Sequence, residues 1–327
     1  MDMKIVDPKI KQENEGVVAD FAKVMGITSN HELERFPKRI AIEVTSTCNA
    51  RCVMCPIEEW ERSVNFMPDD IFNKIVEDMR PHVDWIEEVS LHIDGEPLMD
   101  KKLEAKLIVM KEMGIKSVMI TSNAGLMWEH RSESLLKAGL DRVDFSIDGA
   151  TKETFEAIRL RLNFEECVTN IENFLKVRDR LGKTDDVHVT IRMTVSETNC
   201  DEYEDFKAYW KPLLGKNDRV YGKLLHNWGA WAEEFAPGSG IDKTALNNRA
   251  CPSPWVNFNI FTDGRVPLCC VDFNADLEMG NVVDNTIQEI WQNPVSRNAR
   301  QQMLEQGRNW SAKCVDCLAW DQTLKLS

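Results

Sequence analysis

From residue 38 onward, short apolar runs rich in β-branched residues alternate with segments of helical period. Such alternation is typical of a parallel sheet wrapped by helices. The pattern predicts six strands, at residues 39–45, 87–93, 116–121, 142–147, 187–195 and 219–225. Six βα units are two short of a closed eight-stranded barrel. We therefore expect an α/β fold built on a partial (βα)6 TIM-type barrel.

Two segments between the predicted strands carry clear helix signals. The stretch "MPDDIFNKIVEDM" opens with proline and acidic residues and then repeats apolar side chains at Ile71, Ile75 and Met79, as an amphipathic helix does. Residues 164–181 carry an apolar stripe at helical spacing that includes Cys167. Because free cysteine packs as a small hydrophobe, we interpret Cys167 as a core residue.

The pattern divides the chain into four parts. Residues 1–37 form a predicted helical extension whose apolar side chains are expected to pack on the barrel, and residues 38–232 form the barrel itself. Residues 233–250 contain Pro and Gly without a strong period, which is typical of a linker. Residues 251–327 contain a predicted hairpin around "TDG" and a short helix, so we expect a small β-hairpin plus helix domain.

Charge narrows the choice of partner. The 54 acidic and 40 basic residues leave a net charge of −14, which disfavours binding to nucleic acid or to an anionic membrane surface. A small polar substrate suits this balance better. The charged start of the chain does not resemble a signal peptide and no apolar run is long enough for a membrane span. We expect a cytosolic protein, in which ten cysteines stay free or bind metal.

The first cysteine group follows the first predicted strand. Cys48, Cys52 and Cys55 are spaced as C-x3-C-x2-C, at the strand end where loops of such barrels gather their chemistry. Three thiolates leave one position of a tetrahedral zinc site or of an iron–sulfur cubane without a ligand from this loop. A structural zinc site completed by a distant histidine is the alternative interpretation.

This triplet resembles the hallmark of the radical S-adenosylmethionine (SAM) enzymes, in which it follows the first strand of a partial barrel. The resemblance implies that Cys48, Cys52 and Cys55 hold a 4Fe-4S cluster whose fourth iron is chelated by SAM. In that family, one-electron reduction cleaves SAM and yields a 5'-deoxyadenosyl radical that abstracts a hydrogen atom from the substrate. A flavodoxin- or ferredoxin-type protein is the expected electron donor.

Later loops resemble the SAM-binding motifs of the same family in the same order. "DGEP" resembles the Gly-Gly-Glu motif, with Asp94 in place of the first glycine, and "TSNAG" resembles the ribose-contacting segment. Arg192 is the candidate partner of the SAM carboxylate, with Arg142 and Arg159 as competitors. The resemblance thus assigns SAM contacts to Met54, Gly95, Glu96, Ser122, Asn123, Ser146 and Arg192.

The second cysteine group lies in the last quarter of the chain, at Cys251, Cys269, Cys314 and Cys317. Four thiolates from two pairs suit a zinc ribbon or a complete iron–sulfur cluster, and spacing alone does not separate the two. The spacing resembles the auxiliary-cluster domain called SPASM, in its shortened "twitch" form. That resemblance implies one auxiliary 4Fe-4S cluster.

Two adjacent cysteines, Cys269 and Cys270, compete for one ligand position. Cys269 fits the G-x4-C spacing from Gly264. Successive residues on an extended strand point to opposite faces, so both thiols are not expected to reach one cluster. We therefore predict Cys269 as the ligand and leave Cys270 as a packed thiol or a hydrogen donor.

These features predict a radical SAM enzyme that oxidises an alcohol of a sugar or aminocyclitol-like substrate, with the auxiliary cluster as electron acceptor. Twitch relatives include aminocyclitol dehydrogenases and aminoglycoside epimerases. Epimerisation, with Cys200 or Cys270 as hydrogen donor, and modification of a ribosomal peptide are the alternatives. His226 is the candidate proton acceptor for oxidation. An aromatic face with a polar neighbour is expected at the mouth of the barrel, from Trp228, Trp231, Trp255 and Asn257.

Overall fold

The computed structural model describes residues 7–228, 242–319 and 325–326. These residues form strands β1 Arg39–Ile42, β2 Arg51–Cys52, β3 Glu88–Ser90, β4 Ser117–Ser122, β5 Arg142–Ser146, β6 Arg159–Leu160, β7 His188–Val195, β8 Arg219–Leu224, β9 Asn257–Ile260, β10 Arg265–Pro267, β11 Glu278–Asn281 and β12 Lys325–Leu326.

The same described residues form helices α1 Pro8–Val24, α2 Asn30–Arg35, α3 Asp69–Met79, α4 Leu103–Met113, α5 Glu129–Ala138, α6 Lys152–Ile158, α7 Phe164–Arg180, α8 Tyr203–Trp210, α9 Lys243–Asn248, α10 Ser253–Val256, α11 Ile287–Gln292 and α12 Pro294–Gln306. Within those residues, no helix has the length and apolar character needed to cross a membrane.

Eight strands form one sheet, in the order β12-β8-β7-β5-β4-β3-β1-β9. Neighbouring strands are parallel, apart from β12, which runs antiparallel to β8. All six predicted strands are present, as β1, β3, β4, β5, β7 and β8. The prediction of a parallel α/β barrel-type fold is confirmed.

Strand β9 was not predicted to belong to this sheet. It lies parallel to β1, with Arg39 opposite Asn257 and Ile42 opposite Ile260. The predicted turn at "TDG" is present, since the amide of Phe261 donates to the carbonyl of Arg265 at 2.9 Å. However, β10 pairs with β11 rather than returning along β9. The predicted small domain with a β-hairpin and helices is confirmed, but its hairpin joins β10 and β11, because local sequence specifies a turn more readily than a strand partner.

The two predicted helices are present as α3 and α7. In α3, Ile75 and Met79 are fully buried as predicted, whereas Ile71 is half-buried and Phe72 takes the inner position beside them. In α7, Cys167 is fully buried, which confirms its interpretation as a core residue. Both helices therefore bury the apolar face that their spacing indicated.

The amino-terminal helix packs on the carboxyl-terminal segment and not on the barrel as expected. Val18 and Ala22 of α1 share a buried cluster with Trp255 and Met303. The side chain of Asn14, which is 1% exposed, accepts a hydrogen bond from the Ala250 amide at 2.6 Å and donates to the carbonyls of Asn248 and Leu304 at 3.0 and 3.1 Å. Helix α1 thus supports the segment that leads into Cys251.

Candidate active site between two groups of cysteines

The first cysteine group lies where the fold predicts it, on the loop after β1. Cys48, Cys52 and Cys55 are free, half-buried thiols. Burial raises the pKa of Cys48 to about 11 and that of Cys55 to about 12, and it also raises the pKa of Cys52. Thiols in such surroundings ionise when a metal replaces the proton. Their chemistry fits the predicted iron–sulfur ligands.

The "DGEP" loop packs directly on the backbone that precedes Cys48. Gly95 has a φ of +74°, and a Cβ there would lie 2.7 Å from the Thr47 carbonyl oxygen and 2.8 Å from that of Thr45. The amide of Glu96 also donates to the Thr47 carbonyl at 2.8 Å. Glycine is therefore required at position 95 both by its left-handed backbone and by the close approach of the two loops.

Glu96 is held by the loop after β4. Its carboxylate accepts hydrogen bonds from the Ser122 hydroxyl at 2.9 Å and from the Asn123 amide at 2.8 Å. Burial raises its pKa to about 7. The Asn123 side chain donates to Asn49 at 2.8 Å and approaches the Cys48 sulfur at 3.9 Å. Three predicted SAM-binding residues thus meet beside the first cysteine group.

Ser122 differs from its predicted role. Its hydroxyl donates to Glu96 and accepts from the Ala124 amide at 3.0 Å, and the residue is 2% exposed. A hydroxyl committed in this way holds the Glu96 carboxylate rather than standing open to a ribose. The "TSN" motif indicated its place in the fold correctly, but not its partner.

Arg159, which the sequence indicated only as a competitor of Arg192 for the SAM carboxylate, contacts the first cysteine group. Its guanidinium pairs with the fully buried Asp148 at 2.7 and 2.9 Å, and its Nη1 lies 3.8 Å from the Cys52 sulfur. Asp148 therefore binds this arginine, while Thr151 caps α6. The short β2–β6 pairing, which joins Cys52 to Arg159, brings the arginine to the cysteine loop.

Arg192 and Ser146 lie side by side on neighbouring strands. The Arg192 Nε donates to the Ser146 hydroxyl at 3.0 Å. No carboxylate of the described residues lies within ion-pair distance of Arg192, whereas Arg142 is paired with Asp144 at 2.8 Å. Among the three arginines considered, Arg192 thus has a guanidinium available for the SAM carboxylate, and that assignment stays a prediction.

Met54 is buried close to Trp228. It packs with Ile158 and Leu225, and its carbonyl accepts a hydrogen bond from the Trp228 indole at 2.8 Å. Of the other predicted mouth residues, Trp231 lies outside the described residues. Trp255 is buried against α1 instead of facing the mouth, because the carboxyl-terminal segment packs that helix.

A cavity of about 360 Å³ opens between the barrel strands and the carboxyl-terminal segment. Its polar lining includes His92, Asp94, Arg192, Lys223, His226, Asn257 and Cys270. Cys200, in contrast, is exposed and does not line it. Of the two cysteines proposed as hydrogen donors, the structure brings only Cys270 to this cavity.

His226 lines the cavity, but its acceptor nitrogen is already used in a hydrogen bond. Its Nδ1 accepts the Trp228 amide at 3.1 Å, so in the neutral ring the proton resides on Nε2. Burial lowers its pKa to about 3. The sequence-based role of His226 as proton acceptor is therefore not supported by its hydrogen bonding.

The second cysteine group lines a separate, smaller cavity of about 30 Å³. Cys251, Cys269, Cys314 and Cys317 all line it. Burial raises the pKa of Cys251 and of Cys314 to about 12, and the pKa of Cys269 is raised as well. Four thiols around one space, of which Cys317 is buried and the other three are half-buried, fit an iron–sulfur cluster with only protein ligands.

Neither cysteine group is spaced for a single ion. No three His, Cys, Asp or Glu side chains in the described part of the chain could together hold one metal ion. The thiolates of a 4Fe-4S cluster bind separate irons, so they stand apart instead of converging on one point.

The neighbouring thiols Cys269 and Cys270 face different cavities, the first the four-cysteine space and the second the larger one. The predicted division of roles is in keeping with this placement, but its stated reason was wrong. Strand β10 ends at Pro267, so the two residues lie in a turn and not on an extended strand. The turn separates their side chains.

Two protein-family models match separate parts of the chain. A model of the radical SAM superfamily matches residues 42–206. The chain belongs to the radical SAM superfamily. A second model, described as an iron–sulfur cluster-binding domain, matches residues 251–318. The cofactors of this radical SAM enzyme are therefore SAM and an iron–sulfur cluster in the barrel, with an auxiliary iron–sulfur cluster in the carboxyl-terminal segment.

Curated relatives of this radical SAM enzyme have more than one activity. The chain is 22% identical over 286 residues to an S-adenosyl-L-methionine-dependent 2-deoxy-scyllo-inosamine dehydrogenase from Niallia circulans, covering 87% of this chain and 94% of that protein. A GTP 3',8-cyclase from Listeria welshimeri is 29% identical over 243 residues, covering 68% of each protein.

Solved structures share the fold. BtrN in complex with AdoMet and 2-DOIA superposes with a TM-score of 0.60 at 21% identity, covering 86% of this chain and 93% of that one. SuiB from Streptococcus suis bound to the precursor peptide SuiA superposes with a TM-score of 0.58 at 15% identity, covering 96% of this chain and 77% of that one. The fold is thus shared with proteins whose structures contain ligands of different kinds, 2-DOIA in one and a precursor peptide in the other.

Proposed function

We propose that this radical SAM enzyme is a dehydrogenase that oxidises an alcohol group of a small, polar, sugar-like or aminocyclitol-like substrate. One observation carries the proposal: a single cavity adjoins both cysteine groups. Asp94, from the loop beside the first group, and Cys270, the neighbour of Cys269 in the second, line the same cavity. A substrate bound there lies within reach of both cofactors.

The geometry of the two groups supports an assignment of the residues that hold the cofactors. Cys48, Cys52 and Cys55 would hold the SAM-binding cluster, with Gly95, Glu96 and Asn123 beside the amino acid and ribose portions of SAM. Cys251, Cys269, Cys314 and Cys317 would hold the auxiliary cluster. When bound, SAM and the reduced cluster supply the 5'-deoxyadenosyl radical that removes a hydrogen atom from the substrate carbon.

The four-cysteine site favours electron transfer over substrate binding. All four thiols line one enclosed space, so a cluster there has no iron left for a substrate. An electron that leaves the substrate radical toward this site turns the reaction into an oxidation. The resemblance to the 2-deoxy-scyllo-inosamine dehydrogenase, over most of both chains, supports the same outcome. A flavodoxin- or ferredoxin-type donor would reduce the enzyme.

Epimerisation is the second candidate, and the position of Cys270 favours it. A thiol that lines the substrate cavity is able to return a hydrogen atom to the opposite face of the substrate radical. Replacing Cys270 by alanine separates the two reactions. An epimerase would lose its product while still forming 5'-deoxyadenosine, whereas a dehydrogenase would keep its ketone.

The product mass tests the proposed function directly. The purified, anaerobically reconstituted enzyme would be reduced and incubated with SAM and a panel of aminocyclitols, sugars and nucleotide sugars. Loss of two hydrogens, with one 5'-deoxyadenosine per ketone, is the expected result. An isomer of unchanged mass supports epimerisation instead. Loss of water or ammonia, or turnover of peptides alone, would refute the dehydrogenase proposal.

A further inference from the structure

Oxidation of an alcohol releases the hydroxyl proton as well as a hydrogen atom and an electron, so the proposed dehydrogenase needs a proton acceptor. The identity of this proton acceptor is an inference that rests on the proposed function. The cavity lining offers two histidines and two carboxylates, namely His92, His226, Glu88 and Asp94. Their hydrogen bonds and surroundings distinguish them.

Three of the four are poorly suited to accept a proton. His226 already accepts the Trp228 amide through Nδ1. Burial, with a smaller contribution from Arg192, lowers the pKa of His92 to about 3, so it is a weak base. Glu88 is the first residue of β3, at the end of the strand away from the cysteine loops, and faces Arg142 at 3.4 Å.

Asp94 has one carboxylate oxygen without a hydrogen-bond donor and lies between the two cysteine groups. Its Oδ2 accepts from Arg62 at 3.0 Å, whereas its Oδ1 has no hydrogen-bond donor among the described residues. Burial raises the pKa of Cys55 to about 12 and that of Cys270 to about 11, and the negative charge of the nearby Asp94 carboxylate acts in the same direction on both thiols. Asp94 therefore lies between the loop of the first cysteine group and the thiol beside the second.

A buried ion network holds Asp94 in place. Arg62 makes two hydrogen bonds of 2.7 Å to Glu43 and a third to Asp94, and its Nε donates to the Phe273 carbonyl at 2.7 Å. Glu43 also accepts the Thr262 amide at 3.1 Å. One guanidinium thus ties the "DGEP" loop to the end of β1 and to the segment on both sides of Cys269 and Cys270.

We propose that Asp94 is the catalytic base of the oxidation and that Arg62 is its positioning residue. The substrate radical, with its unpaired electron on the carbon that bears the hydroxyl, gives the O–H proton to Asp94 Oδ1. The auxiliary iron–sulfur cluster, when held by its four cysteines, would be the oxidant that accepts the remaining electron, so that the C–O bond becomes a carbonyl. Together with the hydrogen atom taken by the 5'-deoxyadenosyl radical, the substrate has lost two hydrogens.

The surroundings of Asp94 support this role. Burial raises the pKa of its carboxyl above the usual range, although Arg62 opposes the shift. The charged and titratable groups near it are Arg62 with Glu43 behind it, Cys55 and Cys270. The same cavity is also lined by His92, Glu88, Arg192, Lys223 and His226. A base that holds a proton more readily than an exposed aspartate suits general base catalysis near neutral pH. The replacement of the family's first glycine by Asp94 then has a chemical reason.

The test replaces Asp94 by asparagine, which keeps an acceptor for Arg62 and removes the proton acceptor. With a substrate deuterated at the reacting carbon, Asp94→Asn should still transfer deuterium to 5'-deoxyadenosine. The ratio of ketone to 5'-deoxyadenosine should fall by a factor of at least about 100, which is typical of losing a general base. A substrate-radical signal should accumulate in electron paramagnetic resonance spectra. The matched control, Glu88→Gln, removes the other cavity carboxylate and should keep the wild-type ratio.

Each outcome bears on the inference. A wild-type ratio of ketone to 5'-deoxyadenosine in Asp94→Asn, or a loss in Glu88→Gln alone, would overturn the assignment of the base. Asp94→Glu restores a carboxylate and should recover ketone, even if Asp94→Asn loads its clusters poorly by iron and sulfide analysis. If wild-type enzyme makes an isomer and no ketone, the proposed function fails, and the base falls with it.

Discussion

The two cysteine groups supply similar ligands, but their cysteines are brought together in different ways. Cys48, Cys52 and Cys55 lie within one loop that directly follows β1, so their proximity is largely a local property of the chain. Cys251, Cys269, Cys314 and Cys317 meet only because separate segments fold around a common cavity. The first group can therefore be recognised as a motif, whereas the second depends on tertiary packing that includes helix α1.

Removal of the first group should have the largest effect. A variant with Cys48→Ala, Cys52→Ala and Cys55→Ala should form no detectable 5'-deoxyadenosine, because the SAM-cleaving cluster has no ligands left. Its iron content should fall from about eight to about four per chain, the difference of one 4Fe-4S cluster. Unchanged iron, or SAM cleavage that persists, would contradict the ligand assignment.

Removal of the second group should have a narrower effect and so sharpen the contrast. In a variant with Cys251→Ala and Cys314→Ala, iron should again fall by about four per chain, while reductive SAM cleavage remains measurable. Ketone should be lost, since the electron has no acceptor. Cys270→Ala is the matched control, because this thiol faces the other cavity and should leave the iron content unchanged. Ketone formation without the auxiliary cluster would refute the electron-transfer role.

Arg62 joins the two regions, and its removal should destabilise both. In Arg62→Met, Glu43 and Asp94 are left as buried carboxylates without their cation, and breaking a buried pair in this way costs about 3–5 kcal/mol. Unfolding of the anaerobic holoenzyme in urea should shift to lower denaturant concentration. Arg180→Met serves as the control, since that arginine makes its ion pairs with Glu129 and Glu133 on the surface, and the shift should be small. Equal shifts would mean that the buried network contributes little.

Asn14 tests whether α1 supports only the second group. Asn14→Ala leaves the Ala250 amide and two carbonyls without their buried partner, at a cost of about 1–3 kcal/mol. Auxiliary-cluster iron should become easier to remove with a chelator, whereas the rate of SAM cleavage stays near the wild-type value. Equal loss of iron from both sites would contradict a role confined to the carboxyl-terminal segment.

The accuracy of the sequence-based predictions follows the same division between local and distant contacts. Six strands, α3, α7 and the buried Cys167 were predicted from periodicity, because each depends on a repeating pattern within a few turns or residues. The pairing of β9 with β1 was missed, since an apolar run identifies a strand but not its neighbour. The packing of α1 on α12 was missed for the same reason.

Within the candidate site, motifs indicated positions better than partners. Gly95 and Glu96 lie beside the first cysteine loop as the "DGEP" motif suggested, but Ser122 proved to be the partner of Glu96. Arg159 and Arg62 carry no periodic or motif signal, because each becomes important through buried contacts with residues elsewhere in the sequence. A carboxylate at Asp94, where the family has glycine, was the one visible sign of the network around Arg62.

The amino-acid sequence by itself determined the alternating parallel fold, the two groups of thiols and therefore the class of chemistry. These properties reside in short-range spacing, which the chain carries whether folded or not. Tertiary structure decided which cavity each of Cys269 and Cys270 faces, where Cys200 lies and which carboxylate keeps an open oxygen between the two sites. Those outcomes depend on turns, burial and ion pairs between residues far apart in sequence, and such contacts exist only once the chain has folded.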